Sequence, residues 1–314
     1  MNRCKYCGER AIIRLRYANL SLCGEHFKQY YEGRIEKILS KHRVRGRILV
    51  AVSGGKDSMS LLHALNRLSE RLGLEIYAFH IDLGIPGYSS TCRNTVRAFA
   101  AEIRVPLIVY DMVEELDLSM PEIIRYSQRP PCAVCGVVRR WIMNKVAYES
   151  GFDYIATGHN LDDSSTYYLK ALLTQDIYSI LRGQTEILDP IPEMKLVGRI
   201  RPQFYLTERE NRLYASLCNI PVVSQSCPYS RRAKIHKYRR AWSALLRVNP
   251  IAQINLTRTM LRLRKMISAE RPELKLCMKC GFPTESPDAI CSFCKLIERA
   301  RRASKTAKED SPTQ

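Results

Sequence analysis

The chain has 314 residues and carries 50 Lys and Arg against 31 Asp and Glu, a formal net charge of +19. That balance excludes a solvated acidic protein and points to a polyanionic partner, and 46% hydrophobic with 26% charged residues excludes wholesale disorder. The longest apolar runs fall far short of the roughly 20 residues a membrane span needs, and the start Met1-Asn2-Arg3-Cys4 has no apolar signal region, so a cytoplasmic protein is expected, with no membrane partner.

In chain order, a cysteine-rich module is expected over residues 1–33. The apolar run 48–52 reads as a strand buried on both faces. A helical pattern follows over 58–72, stopped by Gly73, then a strand over 74–81 and a helix over 91–103. Residues 106–110 read as a strand, 133–150 as a helix closed by Gly151, 154–157 as a strand and 161–173 as a helix. Strands alternating with helices of this length imply an α/β unit, a parallel sheet with helices on both faces, over residues 34–206. No internal repeat is visible. Thr207-Glu208-Arg209-Glu210 is a capping box that opens a helix through Leu217. From Asn211 to Ala269 there is no Asp or Glu and there are twelve Lys and Arg, so 207–270 is expected to be a basic helical segment. A second cysteine-rich module is expected over 271–302 and a polar disordered tail over 303–314.

The segment Ala51-Val52-Ser53-Gly54-Gly55-Lys56-Asp57-Ser58 follows the first buried strand and opens a helix. Glycines there bring backbone N–H groups onto a phosphate, and the helix N-terminus adds partial positive charge. Lys56 supplies a full charge and Ser53 and Ser58 supply hydroxyls, while Asp57 handles a metal or orients Lys56; a Mg2+ bridging the phosphates fits. The spacing is not that of a Walker A loop. Residues 79–82 and 157–163 end later strands, where an open α/β sheet holds its ligand. The pair Asp162 and Asp163 is expected to help hold Mg2+, with Asp162 equally readable as a helix N-cap, and His159 as a loop residue that orients its neighbours.

Ten of the twelve cysteines form three groups. Cys4, Cys7, Cys23 and His26 read C-x2-C-x15-C-x2-H, and Cys277, Cys280, Cys291 and Cys294 read C-x2-C-x10-C-x2-C. Two-residue spacing lets both thiolates reach one tetrahedral ion, so two structural zinc sites are expected, in modules too small to fold without metal. Cys132 and Cys135 stand at a helix start, where the dipole favours thiolate, and Cys227 is the best third ligand. Three cysteines suit a [4Fe-4S] cluster with one open iron; a redox disulfide and a catalytic persulfide are the rival readings. Cys92 and Cys218 read as small buried hydrophobes.

The loop Ser53–Ser58 resembles the SGGKDS loop of the PP-loop ATPases, which cleave ATP between the α- and β-phosphates to adenylate an oxygen. Together with the two terminal cysteine groups, residues 80–85, 132–163 and Cys227-Pro228, it makes nearly the whole chain similar to the TtuA/Ncs/CTU family of tRNA thiolases. The resemblance implies a [4Fe-4S] cluster on Cys132, Cys135 and Cys227 with zinc at both ends. It implies ATP held by Ala51, Ser53, Asp57, Ile81, Gly158 and Asp163. It implies a reaction in which the uridine 2-oxygen is adenylated and replaced by sulfur, from a ubiquitin-like protein thiocarboxylate or free sulfide, most often in a homodimer. The T-loop uridine is the expected target; the alternative is a wobble uridine, because Arg139 stands where relatives of the T-loop type carry a catalytic lysine. Arginine keeps the charge but cannot give up its proton. A second departure is Ser164, where an acidic residue is more usual.

The basic residues Arg231, Arg232, Lys234, Lys237, Arg239 and Arg240, interleaved with Tyr238 and Trp242, are expected to hold RNA phosphates and stack on a base. A PP-loop amide or lysidine synthetase has no use for the central cysteines. A zinc-finger RNA-binding protein with a dead ATP site has no use for an intact phosphate loop.

Overall fold

The computed structural model describes residues 3–181, 185–230, 235–267 and 273–309. The chain begins with a hairpin of β1 (Ile13–Leu15) and β2 (Leu20–Leu22), paired antiparallel, and then α1 (Gly24–Lys41). His26 lies in the first turn of α1, and Phe27, Tyr31, Ile35 and Leu39, at helical spacing, are buried farther along it. One helix thus links the metal-type module to the core, and the expected boundary at residue 33 falls inside it.

The α/β unit then unrolls as β3 (Gly46–Ala51), α2 (Lys56–Leu72), β4 (Leu74–Asp82), α3 (Ser89–Glu102) and β5 (Leu107–Asp111). Two short helices, α4 (Met112–Leu116) and α5 (Met120–Arg125), lead to α6 (Pro131–Glu149), β6 (Tyr154–Thr157) and α7 (Leu161–Leu173). After α8 (Ile177–Leu181) come β7 (Ile187–Leu188), β8 (Gly198–Ile200) and α9 (Glu208–Leu217). The sheet order is β5-β4-β3-β6-β8-β7, parallel except for the antiparallel edge strand β7. The order reverses between β3 and β6, and that switch point opens the crevice where such sheets hold ligands. Ile48, Leu49 and Val50 of β3 are fully buried, one set against the α1/α2/α9 core and the other against the α5/α6 core.

The helix α9 packs on α1 and α2. It is therefore part of the α/β unit rather than of the basic segment with which its sequence grouped it. The basic segment proper folds as α10 (Ile235–Val248) and α11 (Ala252–Met266), both against α7. Trp242 is buried, so the base-stacking role expected for it is excluded: in a helix with a basic face, it lies on the opposite, inward side. Arg231, Arg232 and Lys234 lie outside the described residues. The chain closes with the hairpin β9 (Lys275–Leu276) and β10 (Pro283–Thr284) and with α12 (Ser292–Glu309). The helix α12 corrects the expectation of a disordered tail from residue 303; alanines and long charged side chains favour helix through Glu309, and 310–314 lie outside the described residues. No helix among the described residues is long and apolar enough to cross a membrane.

Candidate functional site

The loop after β3 is built from the residues the sequence marked. Gly54 has φ +80°, and a side chain there would press on Val223 at 3.0 Å. Val223 N donates to Gly54 O at 2.9 Å, so the strand-like segment after α9 clamps the loop. Ser58 Oγ accepts from Ser53 N at 3.0 Å and donates to Gly55 O at 3.0 Å, which fixes the turn into α2 from within. Gly158 is required by close approach: a Cβ there would sit 3.0 Å from the backbone of Asp57 and Ser58. Ala51, Ser53, Gly55, Asp57, Ser58, Thr157, Gly158, His159 and Asp163 line one cleft of ≈ 320 Å³, closed on the far side by Gly136, Arg139 and Arg140 of α6. Gly54 and Lys56 belong to the loop without lining that cleft, and Ile81 is buried in β4 beside it.

Asp57 is held on all sides. Its Oδ1 accepts from Asn211 at 2.8 Å and from Asn160 at 3.2 Å, and its Oδ2 meets Lys56 Nζ at 3.1 Å. Gln203 donates to the Asp57 carbonyl at 3.0 Å and to Tyr31 OH, which donates on to Asn211, so α1, α9 and the segment after β8 all brace this residue. Asp57 thus orients Lys56, one of its two expected roles. Lys56 also meets Glu208 Oε1 at 3.1 Å. Burial alone would raise the Glu208 carboxyl, but Lys56 and Arg239 outweigh it and hold it below its usual value.

The two aspartates separate. Asn160, not Asp162, is the N-cap of α7, and Asp163 completes its capping box. Asp162 turns away from the cleft and accepts from Glu208 N at 2.7 Å and from Gln253 at 3.1 Å, tying α7 to α9 and α11. Its expected share in a Mg2+ site is therefore excluded. Asp163 stays in the cleft, paired with Arg239 at 2.8 Å. Burial pushes its carboxyl up and Arg239 opposes this. Arg239, one of the residues expected on RNA, thus faces inward, bridging Asp163 and Glu208. Ser164 is buried with its hydroxyl donating to Asn160 O.

His159 is exposed at the cleft mouth and hydrogen-bonds Thr157 through Nδ1 at 2.9 Å. Desolvation by the cleft walls, then Arg201, Arg139, Arg140 and Arg199, push it down to about 4, so it is neutral. His80 is buried beneath the loop; its Nδ1 donates to Val52 O at 2.8 Å, and its Nε2 has no partner among the described residues. Asp82 is buried and ion-paired with Arg93 at 3.3 Å.

Cys132 and Cys135 occupy the first turns of α6, and Cys227 precedes a single 3-10 turn, Pro228–Ser230, that packs on the same helix. Cys135 and Cys227 are half-buried and Cys132 is exposed. The helix start does not lower these thiols as expected: burial pushes Cys132 and Cys135 up, with Arg139 opposing it at Cys135. The three sulfurs do not converge to the spacing of a single ion, in contrast to both terminal groups. A three-thiol set that is spread out and partly open suits a group larger than one ion.

In the N-terminal group Cys23 Sγ and Cys4 Sγ lie 3.2 and 3.6 Å from His26 Nδ1, and Cys7 Sγ lies 3.6 Å from Cys23 Sγ. In the C-terminal group Cys280 meets Cys291 at 3.7 Å and Cys277 meets Cys294 at 3.9 Å. A tetrahedron with metal–ligand bonds of about 2.0–2.3 Å has edges of roughly 3.3–3.8 Å, so both donor sets fit one closed four-coordinate ion. Trp141 Nε1 of α6 donates to Cys280 Sγ at 3.4 Å, and its ring stacks on Phe293 at 3.6 Å. Sequence reasoning missed Trp141, Asn160, Asn211, Gln203 and Glu208. Only Asn160, a good cap residue just before a helical pattern, carried a local signal. Cys92 is buried as expected, and Cys218 is half-buried at the end of α9.

A parallel sheet with a glycine loop between β3 and α2, facing the β6–α7 turn across its switch point, defines the PP-loop class. Residues 27–224 match the PP-loop domain, and residues 3–28 match the 2-thiouridine synthetase TtuA N-terminal LIM domain. The tRNA-5-methyluridine(54) 2-sulfurtransferase of Thermotoga maritima is 37% identical, covering 97% of this chain and 99% of its own. That of Thermus thermophilus is 35% identical over 97% and 94%. The U34-tRNA thiolase NcsA of Methanococcus maripaludis, solved with its [4Fe-4S] cluster, superposes with a TM-score of 0.80 at 24% identity, covering 96% of each chain. The chain belongs to the TtuA-type family of PP-loop tRNA 2-sulfurtransferases.

Proposed function

We propose that this protein thiolates the 2-position of a tRNA uridine at the expense of ATP, and that its target is 5-methyluridine 54. The observation that carries the reading is the placement of Arg139. It lines the nucleotide cleft and also lies against Cys135, so the ATP site and the three-cysteine site share one wall. The curated relatives at 35–37% identity act on position 54, which favours that target over the wobble position.

The backbone N–H groups of Ser53 to Gly55 and the start of α2 hold the pyrophosphate, with Lys56 as counter-charge. Asp57 and its asparagine braces keep Lys56 and the loop in place. Asp163 is the carboxylate at hand for Mg2+ near the α-phosphate. Arg139 stabilises the negative charge that develops as the uridine oxygen is adenylated and then displaced as AMP. His159, neutral, orients the cleft mouth and moves no proton. Cys132, Cys135 and Cys227 hold a [4Fe-4S] cluster, which when bound supplies the site where sulfur is presented. The donor is a ubiquitin-like protein thiocarboxylate or sulfide. Cys4, Cys7, Cys23 and His26, and likewise Cys277, Cys280, Cys291 and Cys294, hold structural zinc. The exposed basic side chains of α10, Lys237 and Arg240 among them, contact tRNA, and a homodimer is the working assembly.

Incubating anaerobically purified protein with ATP, sulfide and tRNA, then digesting the tRNA to nucleosides for mass spectrometry, tests the reading. It predicts 2-thio-5-methyluridine at position 54, lost when U54 is replaced. Thiolation confined to position 34 would move the target to the wobble uridine, and AMP release without any thionucleoside would reject the activity.

A further inference from the structure

Arg140, the residue after Arg139, lines two cavities at once. One is the nucleotide cleft. The other, of ≈ 550 Å³, lies between α6, β8 and the C-terminal cysteine module, with Trp141, Phe282 and Arg199 in its walls. Arg199 is on β8, half-buried, and its Nε is buried without a hydrogen-bond partner. Among the described residues neither Arg140 nor Arg199 forms an ion pair. The lining holds one carboxylate, Glu285.

Two guanidiniums that line one cavity, neither paired with an acid among the described residues, repel each other and attract an anion. Desolvation, then Arg140 and Arg201, push Arg199 down to about 10, the direction expected of a cation lacking its counter-ion. An anion within reach of both guanidiniums would relieve that repulsion. Guanidinium forks match phosphate oxygens in pairs. The ATP phosphates belong at the loop of Ser53 to Lys56, across the cleft from α6. A phosphodiester strand, by contrast, can lie in the larger cavity and pass its next nucleotide over Arg140 into the cleft.

We propose that Arg140 and Arg199 form a phosphate-binding site that grips the RNA backbone beside the nucleotide being thiolated. The proposal rests on the tRNA reading above and names a contact outside the basic helices α10 and α11.

The test uses the full-length metal-loaded protein and a tRNA transcript. Filter binding is measured at several salt concentrations for wild type, Arg199→Gln, Arg199→Lys and Arg140→Gln, with ATP binding measured separately without RNA. One lost phosphate contact flattens the slope of log affinity against log salt by about 0.7–0.9. We expect that flattening in both Gln variants, its recovery in Arg199→Lys, and unchanged ATP affinity in Arg199→Gln. Arg140 has an exposed side chain, so its substitution leaves the fold intact and carries the test if Arg199→Gln does not fold. Unchanged slopes in the Gln variants, with wild type binding tRNA normally, overturn this site alone. Weakened ATP binding with an unchanged RNA slope assigns the pair to nucleotide phosphate and overturns it too. No tRNA binding by wild type overturns both this site and the reading it rests on.

Discussion

At the two ends of the chain a C-x2-C pair meets its partners at edges of 3.2 to 3.9 Å, whereas the C-x2-C pair at the start of α6 and Cys227 do not all converge to single-ion spacing, and one of these three thiols is exposed. The backbone makes the difference. In the C-terminal module turns aim N–H groups at sulfur: Cys291 N donates to Cys277 Sγ at 3.2 Å and Cys294 N to Cys291 Sγ at 3.4 Å. At the start of α6 the helix fixes both cysteines to its own surface, and the third thiol arrives from a separate segment. Identical local spacing thus yields four converging donors in one backbone and a set of three thiols that do not converge in another.

The strongest way to break this contrast is to remove one thiol from each kind of site. Cys135→Ala should reduce thionucleoside formation to background, measured by nucleoside mass spectrometry, while ATP and tRNA binding persist. Full activity in that variant would erase the distinction. Next in size is Arg139, which lies between Cys135 and the cleft at the glycine loop. Arg139→Ala should lower kcat by about 10²–10³-fold, the loss typical of one preorganised electrostatic contact. Arg139→Lys, which keeps the charge, should remain much closer to wild type in single-turnover assays.

A smaller effect sharpens the closed side. Trp141→Phe keeps a ring against Phe293 but removes the N–H on Cys280, so metal affinity of the C-terminal module should fall about 10-fold in a competitive chelator titration. The smallest effect concerns pH. The folded-state pKa of His159 is lowered to about 4, so the native state prefers the neutral ring. Its contribution to stability is present above the unfolded value near 6.5 and is lost as pH falls toward 4. Thiolation by His159→Asn should show the same pH profile as wild type between pH 5 and 8.

Much of the frame was legible because it rests on local signals. The strand Tyr154–Thr157, the helix Leu161–Leu173 and the capped helix from Glu208 to Leu217 match their sequence readings. The phosphate loop and both closed cysteine groups were legible for the same reason, since glycine placement and ligand spacing are written within a few residues. What stayed hidden depends on contacts distant in sequence. Nothing in its neighbourhood marks Asn211 as a brace for Asp57, 154 positions away. Arg239 sits in a basic run, and only the packing of α10 on α7 turns it toward Asp163. Trp242 was misread because a charge run hides its amphipathic period, and the end of α12 because its composition resembles a solvated tail.

The contrast between open and closed cysteine sites is tested most directly by metal analysis of anaerobically purified wild type and Cys227→Ala. The account predicts about four iron and four acid-labile sulfide per wild-type chain beside about two zinc, with iron and sulfide lost and zinc retained in Cys227→Ala. Iron retained in Cys227→Ala, or zinc in place of iron at the third site of the wild type, would contradict it.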